Sequence, residues 1–236
     1  MANLLIKNIP NSITCCNLIS GALATMFAFE NQFIPALTFI ILGAVFDFFD
    51  GFSARLLHVS SPIGKELDSL ADDITFGLAP SAIVFSYMRS ICSADISILA
   101  YSAFLIAAFS ALRLAKFNLD ERQTSSFIGL PTPANALFWA SFVISMKEVL
   151  ADLPINVNIL LLLIFLSCWI LIAEVPMFAL KFKDFSFANN KIRYIFIFTA
   201  ILVIALFLII GNSIAGIWIS IIWYIILSLL SNKRNH

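Results

Sequence analysis

Four aspartates inside otherwise membrane-like segments constrain this chain more than any other feature. They fall in Asp47-Phe-Phe-Asp50-Gly51-Phe-Ser-Ala54-Arg55 and, eight residues on, in Gly64-Lys-Glu-Leu-Asp68-Ser-Leu-Ala-Asp72. A charge at the middle of a bilayer costs roughly 2.5–3.5 kcal/mol on an insertion scale. Four uncompensated charges would cost about 10 kcal/mol or more. Residues retained against such a penalty need a compensating partner, and their spacing indicates one.

An α-helix advances about 100° per residue, so positions i, i+3, i+4 and i+7 share a face. Asp47, Asp50, Gly51 and Ala54 line one stripe, and Gly64, Asp68 and Asp72 line another. A short turn containing Ser60, Ser61 and Pro62 joins the two segments, which predicts antiparallel neighbours. Facing each other, they gather four carboxylates into one oxygen-rich pocket. Hard divalent cations (Mg²⁺, Mn²⁺, Ca²⁺) prefer such oxygens. Gly51, Ala54 and Gly64 leave room beside the acids, and Arg55 supplies a fixed positive charge. The combination suits a diphosphate held by metals and a guanidinium. A purely ion-paired acidic patch holding two helices together is the plainer alternative, and four acids at these spacings weigh against it.

The pattern D-x-x-D-G-x-x-A-R, eight residues, G-x-x-x-D-x-x-x-D resembles the signature of the CDP-alcohol phosphatidyltransferase family, with Asp47, Asp50, Gly51, Ala54, Arg55, Gly64, Asp68 and Asp72 filling every specified position. Asp73 is an extra carboxylate about 100° around the helix from Asp72, and no role is assigned to it. Three more segments resemble the integral-membrane branch that uses L-serine as acceptor. These are Pro10-Asn11-Ser-Ile-Thr14-Cys-Cys-Asn17, Arg113-Leu-Ala-Lys116-Phe-Asn118, in which Lys116 stands where that branch has Arg, and Phe127-Ile-Gly129-Leu-Pro131-Thr132-Pro133.

The resemblance implies transfer of the phosphatidyl group from CDP-diacylglycerol to the hydroxyl of L-serine, with CMP leaving. It implies that Asp47, Asp50, Asp68 and Asp72 hold divalent cations, two of Mg²⁺ or Mn²⁺ with Ca²⁺ as an option, and that Asp72 is the general base. Pro10, Asn11, Thr14, Gly51, Ala54, Arg55, Gly64 and Asp68 then form the CDP-diacylglycerol site, and a homodimer is expected. Arg113, Lys116, Asn118 and Thr132 are the candidates for serine, Arg113 being the better bidentate partner for a carboxylate. The same cations could instead be lipid-facing anchors. A sister enzyme taking glycerol 3-phosphate or inositol phosphate would use Arg113, Lys116 and Arg122. A divalent-cation transporter is the remote alternative, because transport favours polar groups on both sides of the midplane and these acids cluster toward one.

Hydrophobic residues make up 61% of 236 positions and charged residues 12%, which places the chain among polytopic membrane proteins. Apolar runs long enough to span occur near 12–29, 33–57, 66–90, 95–117, 131–149, 157–180, 194–210 and 213–231. The expectation is an all-α bundle of about eight transmembrane helices forming a single domain over 1–236. It has a six-helix catalytic core at about 8–180 and an additional C-terminal pair at about 194–231. Ala22-Leu-Ala24 mimics a signal-peptidase site, but the first helix is expected to be retained.

Orientation follows from the basic residues. With the N-terminus in the cytoplasm, Lys7, Arg55, Lys65, Arg113, Lys116, Arg122, Lys181, Lys183, Lys191, Arg193, Lys233 and Arg234 lie on the cytoplasmic side, leaving Arg89 and Lys147 outside. Both termini and the acidic pocket then face the cytoplasm at the inner membrane. No nucleic-acid partner is expected. Glu174 reads as a further intramembrane acid in the sixth helix, about two turns before Lys181, able to pair with Arg113, to accept the ammonium of serine or only to line a wet crevice. Cys15, Cys16, Cys92 and Cys168 show no ligand spacing, and His58 reads as an interfacial residue.

Overall fold

The computed structural model describes residues 2–59, 61–120, 122, 126–180 and 186–232. It is an all-α polytopic bundle in which helical rods run back and forth. The rods begin with α1 (Ala2–Phe29) and α2 (Phe33–Leu56). Next comes a composite span of α3 (Pro62–Asp72), a π-helical segment (Asp73–Leu78) and α4 (Ala79–Ile91). A 3₁₀ stretch (Ala94–Phe104) then leads into α5 (Leu105–Leu119), followed by α6 (Thr132–Ala151), α7 (Asn156–Ile172), α8 (Phe187–Ile210) and α9 (Ala215–Asn232). Among the described residues, six rods are long and apolar enough to cross a membrane, while α7 and α9 are shorter apolar helices.

Lipid tails are as apolar as leucine, so burial alone does not draw membrane helices together. Close packing and interhelical hydrogen bonds do. Both are visible where the composite span crosses the first two rods. Gly21 on α1 and Gly43 on α2 flank Thr75 of the π-helical segment. A Cβ on Gly21 would come within 2.7 Å of the Thr75 Cα, and one on Gly43 within 2.5 Å of its methyl. Thr75 Oγ1 donates to the Asn17 carbonyl at 3.0 Å, locking the crossing. The rest of the core gathers around this span, with Phe76, Ile83, Val84, Met88, Ile106, Trp139, Leu160 and Ile164 fully buried. Trp139 Nε1 donates to Ser167 Oγ (3.0 Å), which donates to Asn135 Oδ1 (2.7 Å), tying α6 to α7.

The start of α3 is set by local chemistry. Ser61 accepts from the Gly64 amide at 2.9 Å and Pro62 occupies the first turn, an N-cap that fixes where the second pair of acids begins. Two short antiparallel strands, β1 (Ser126–Ile128) and β2 (Pro176–Phe178), join the loop after α5 to the loop after α7. Gly129 follows β1 at φ +77°, and any side chain there would strike the Leu171 carbonyl.

The sixth rod differs from its sequence reading. It ends at Ile172, and Glu174 lies beyond it in the connection to β2, exposed and 3.9 Å from Arg122. Its charge is therefore outside the helical part of the bundle, and its ion-pair partner is Arg122, not Arg113. Pro176 supplies the reason, because a proline disfavours helix in the residue before it and ends the rod early. The basic residues Lys181, Lys183, Lys233 and Arg234 and the turn residue Ser60 lie outside the described residues.

Candidate active site

Asp47 and Asp50 reach out from α2 and Asp68 from α3. One carboxylate oxygen of each lies within 4.8 Å of the others. The cluster is held from α1. Thr14 Oγ1 donates to Asp50 Oδ2 at 2.6 Å, and Asp50 is only 6% exposed. A turn further along the same face, Asn17 Nδ2 donates to Asp72 Oδ1 at 3.1 Å. Pro10, Thr14, Asn17 and Gly21 make one stripe of α1, so the stripe that buttresses two of the acids also packs on Thr75.

The donor set fits a hard divalent cation. Three carboxylates this close repel unless a positive charge lies among them. Among the described residues, no lysine or arginine forms an ion pair with Asp47, Asp50, Asp68 or Asp72. Asp68 Oδ1 is buried with no hydrogen-bond donor, an orphaned acceptor of the kind a cation satisfies.

Beside the cluster opens a cavity of about 540 Å³. Its walls come from Pro10, Asn11 and Thr14 of α1, Asp50, Gly51 and Ala54 of α2, His58 and Val59 after it, and Ser61, Gly64, Lys65 and Asp68 at the start of the next rod. Gly64 is small for a physical reason, since a Cβ there would sit 2.9 Å from Asn11 Oδ1 and narrow the passage between α1 and α3. Asp47 and Asp72 are not among the wall residues, and nor is Arg55. Arg55 is exposed, with its Nη1 3.8 Å from where a Gly51 side chain would begin.

The four residues proposed for the acceptor separate into two groups. Arg113 is 6% exposed, with its guanidinium 4.9 Å from the Phe117 ring centre and 5.6 Å from that of Phe127. Its Nε and Nη2 are buried without hydrogen-bond partners. Thr132 is fully buried at the start of α6 and its hydroxyl is also unpartnered. Lys116 is exposed on α5. Asn118 binds α3 instead, its Nδ2 donating to Ser69 Oγ at 2.7 Å and its carbonyl accepting from Lys65 Nζ at 3.1 Å.

Three contributors escaped the sequence reading. Asn17 was visible only as a motif position, though its place one turn after Thr14 on the same face signals contact with the acids. His58 adopts φ +51° where α2 ends, which turns it toward the cavity. Lys65 brings a cation to the cavity wall.

Comparison with known proteins adds to this geometry. Residues 7–177 match the family profile described as CDP-alcohol phosphatidyltransferase. Among curated proteins, a CDP-diacylglycerol–serine O-phosphatidyltransferase of Bacillus subtilis is 41% identical over 125 residues, covering 53% of this chain and 69% of that protein. A protein of the same name from Helicobacter pylori is 37% identical over 130 residues, covering 54% of each chain. One from Methanocaldococcus jannaschii is 33% identical over 159 residues, covering 67% of this chain and 72% of that protein. The chain thus spans about half the length of some curated relatives it matches and over two thirds of others.

Proposed function

Because this chain belongs to the CDP-alcohol phosphatidyltransferase family, we propose that it moves the phosphatidyl group of CDP-diacylglycerol onto the hydroxyl of L-serine, giving phosphatidylserine and CMP. The observation that carries the reading is the convergence of Asp47, Asp50 and Asp68 beside a cavity that Asp50 and Asp68 help to line. The names of the relatives favour serine as the acceptor.

Asp47, Asp50, Asp68 and Asp72 would hold two Mg²⁺ or Mn²⁺ ions, with Ca²⁺ an acceptable oxygen-ligand substitute, and these would neutralise the diphosphate and stabilise departing CMP. The protein's own groups do the rest. The cavity walls at Pro10, Asn11, Thr14, Gly51, Ala54 and Gly64 seat the cytidine diphosphate end. Arg55, exposed beside Gly51, meets the diphosphate from the solvent side. Asp72, oriented by Asn17, takes the proton of the serine hydroxyl. The serine oxygen then bonds to the phosphatidyl phosphorus as the phosphorus–oxygen bond to CMP breaks. Arg113, buried with free N–H groups, offers a bidentate seat for the serine carboxylate, and Thr132 adds a hydroxyl.

In this reading the core and the C-terminal helix pair work as one domain in the inner membrane. The termini and cavity mouth lie on the cytoplasmic side and the chain acts as a homodimer. CMP release from CDP-diacylglycerol, measured with serine and with glycerol 3-phosphate for the wild type and Asp72→Asn, tests the assignment. Serine-dependent release by the wild type, reduced at least about 100-fold in the variant, supports it. Preference for the phosphorylated alcohol overturns it.

A further inference from the structure

Asp73 lies outside the family signature, and the reaction described above gives it no task. Its position is well defined by the packing of the composite span on α5. Ser69, Asp73 and Gly77 recur every four residues and so share one face. Ser69 is bonded to Asn118 at 2.7 Å. Eight residues later, a Cβ on Gly77 would lie 3.4 Å from the Ala107 Cα and 3.1 Å from the Ser110 Cβ. Midway between these two contacts, Asp73 must face the turn of α5 that runs from Ser110 to Arg113. Its Oδ1 lies 2.6 Å from that same Gly77 Cβ position, so the Asp73 carboxylate and Ser110 both pack against the bare face of Gly77.

Neither group has a partner. Asp73 Oδ1 is buried without a hydrogen-bond donor, and Asp73 forms no ion pair with a described residue. Ser110 is fully buried and its hydroxyl is also unbonded. The two do not bond each other, so they are not simply a polar clasp between helices. Arg113, one turn further along the same face of α5, is the third such group, with Nε and Nη2 buried without hydrogen-bond partners. A carboxylate, a hydroxyl and a guanidinium, all short of partners, thus follow one another along this helix interface. A zwitterion presents the matching sequence of groups.

We propose that Asp73 and Ser110 bind the ammonium group of the amino-acid acceptor while Arg113 takes its carboxylate, which makes Asp73 a residue that selects an amino acid over an amine-free alcohol. This rests on the reading of serine as acceptor.

The test uses the full chain in lipid nanodiscs with divalent cation present, following CMP release at varied acceptor concentration. Two acceptors are compared: L-serine, and 3-hydroxypropionate, which keeps the hydroxyl and carboxylate but lacks the amine. Asp73→Asn is expected to raise KM for serine about tenfold or more, keep kcat and the KM for CDP-diacylglycerol within about threefold, and narrow the preference for serine over 3-hydroxypropionate. Ser110→Ala, a milder change, is expected to raise the serine KM about threefold. An unchanged serine KM in both variants, or equal losses with both acceptors, overturns the proposal and leaves the proposed reaction standing. A wild type with no serine-dependent CMP release removes the acceptor reading itself, and this inference with it.

Discussion

At the scale of single residues, the site depends on side chains from α1 that hold the acids in place. Asn17→Ala removes the donor that orients Asp72 and leaves Asp72 facing the other carboxylates without a brace. Partners of this kind are worth about 10–100-fold in activity, so kcat for CMP release is expected to fall by that amount while KM for CDP-diacylglycerol stays close to wild type. Thr14→Val removes the donor to Asp50 at nearly constant volume. The divalent-cation concentration giving half-maximal activity is expected to rise about tenfold, checked by titrating Mn²⁺. These two roles were only partly legible in the sequence. The spacing of Asp47, Asp50, Asp68 and Asp72 is read directly from helical geometry. That Asn17 meets Asp72 depends on how α1 rotates against α3, which packing against Thr75 decides and no local pattern encodes.

At the scale of elements, the crossing of α1 and α2 over the composite span sets the site's dimensions. Gly21→Ala forces a methyl against the Thr75 backbone, which cannot swing aside as a side chain can. The expected cost is about 1–3 kcal/mol, read as a lower thermal midpoint in detergent. Ser61→Ala, which removes the α3 cap, is expected to cost about 1 kcal/mol by the same measurement. The rods themselves were visible as apolar runs, because length and hydropathy suffice for that. The π-helical segment was not visible, because the run Asp-Ile-Thr-Phe-Gly-Leu carries no signal distinguishing it from ordinary helix. The end of α7 was misplaced although Pro176 marked it, because apolar content outweighed the proline in defining the run.

For the whole molecule, the acidic cluster links ion binding to stability. Carboxylates that repel each other without a cation favour the unfolded chain, and a bound ion reverses this by mass action. Chelation with EDTA is therefore expected to lower the thermal midpoint and added Mn²⁺ to restore it; an ion held at about 100 times its dissociation constant adds about 2.7 kcal/mol of stability. The effect should vanish in Asp47→Asn/Asp68→Asn, which separates site binding from non-specific salt effects. Topology can be tested on the same scale. Reporter fusions after Arg122 and at the C-terminus are expected on the cytoplasmic side, and one after Asp152 on the opposite side.

The π-helical segment has a consequence for changes in chain length. A wide turn of this kind takes up a residue that regular helix would have no room for, without twisting the flanking halves out of phase. Removing one residue within Asp73–Leu78 would let the rod relax to uniform pitch while its acidic lower half and its buried upper half keep their bearings. Removing one from Pro62–Asp72 would instead rotate Asp68 away from Asp47 and Asp50. Indels, more than point substitutions, would therefore reveal which part of this span has slack and which has none.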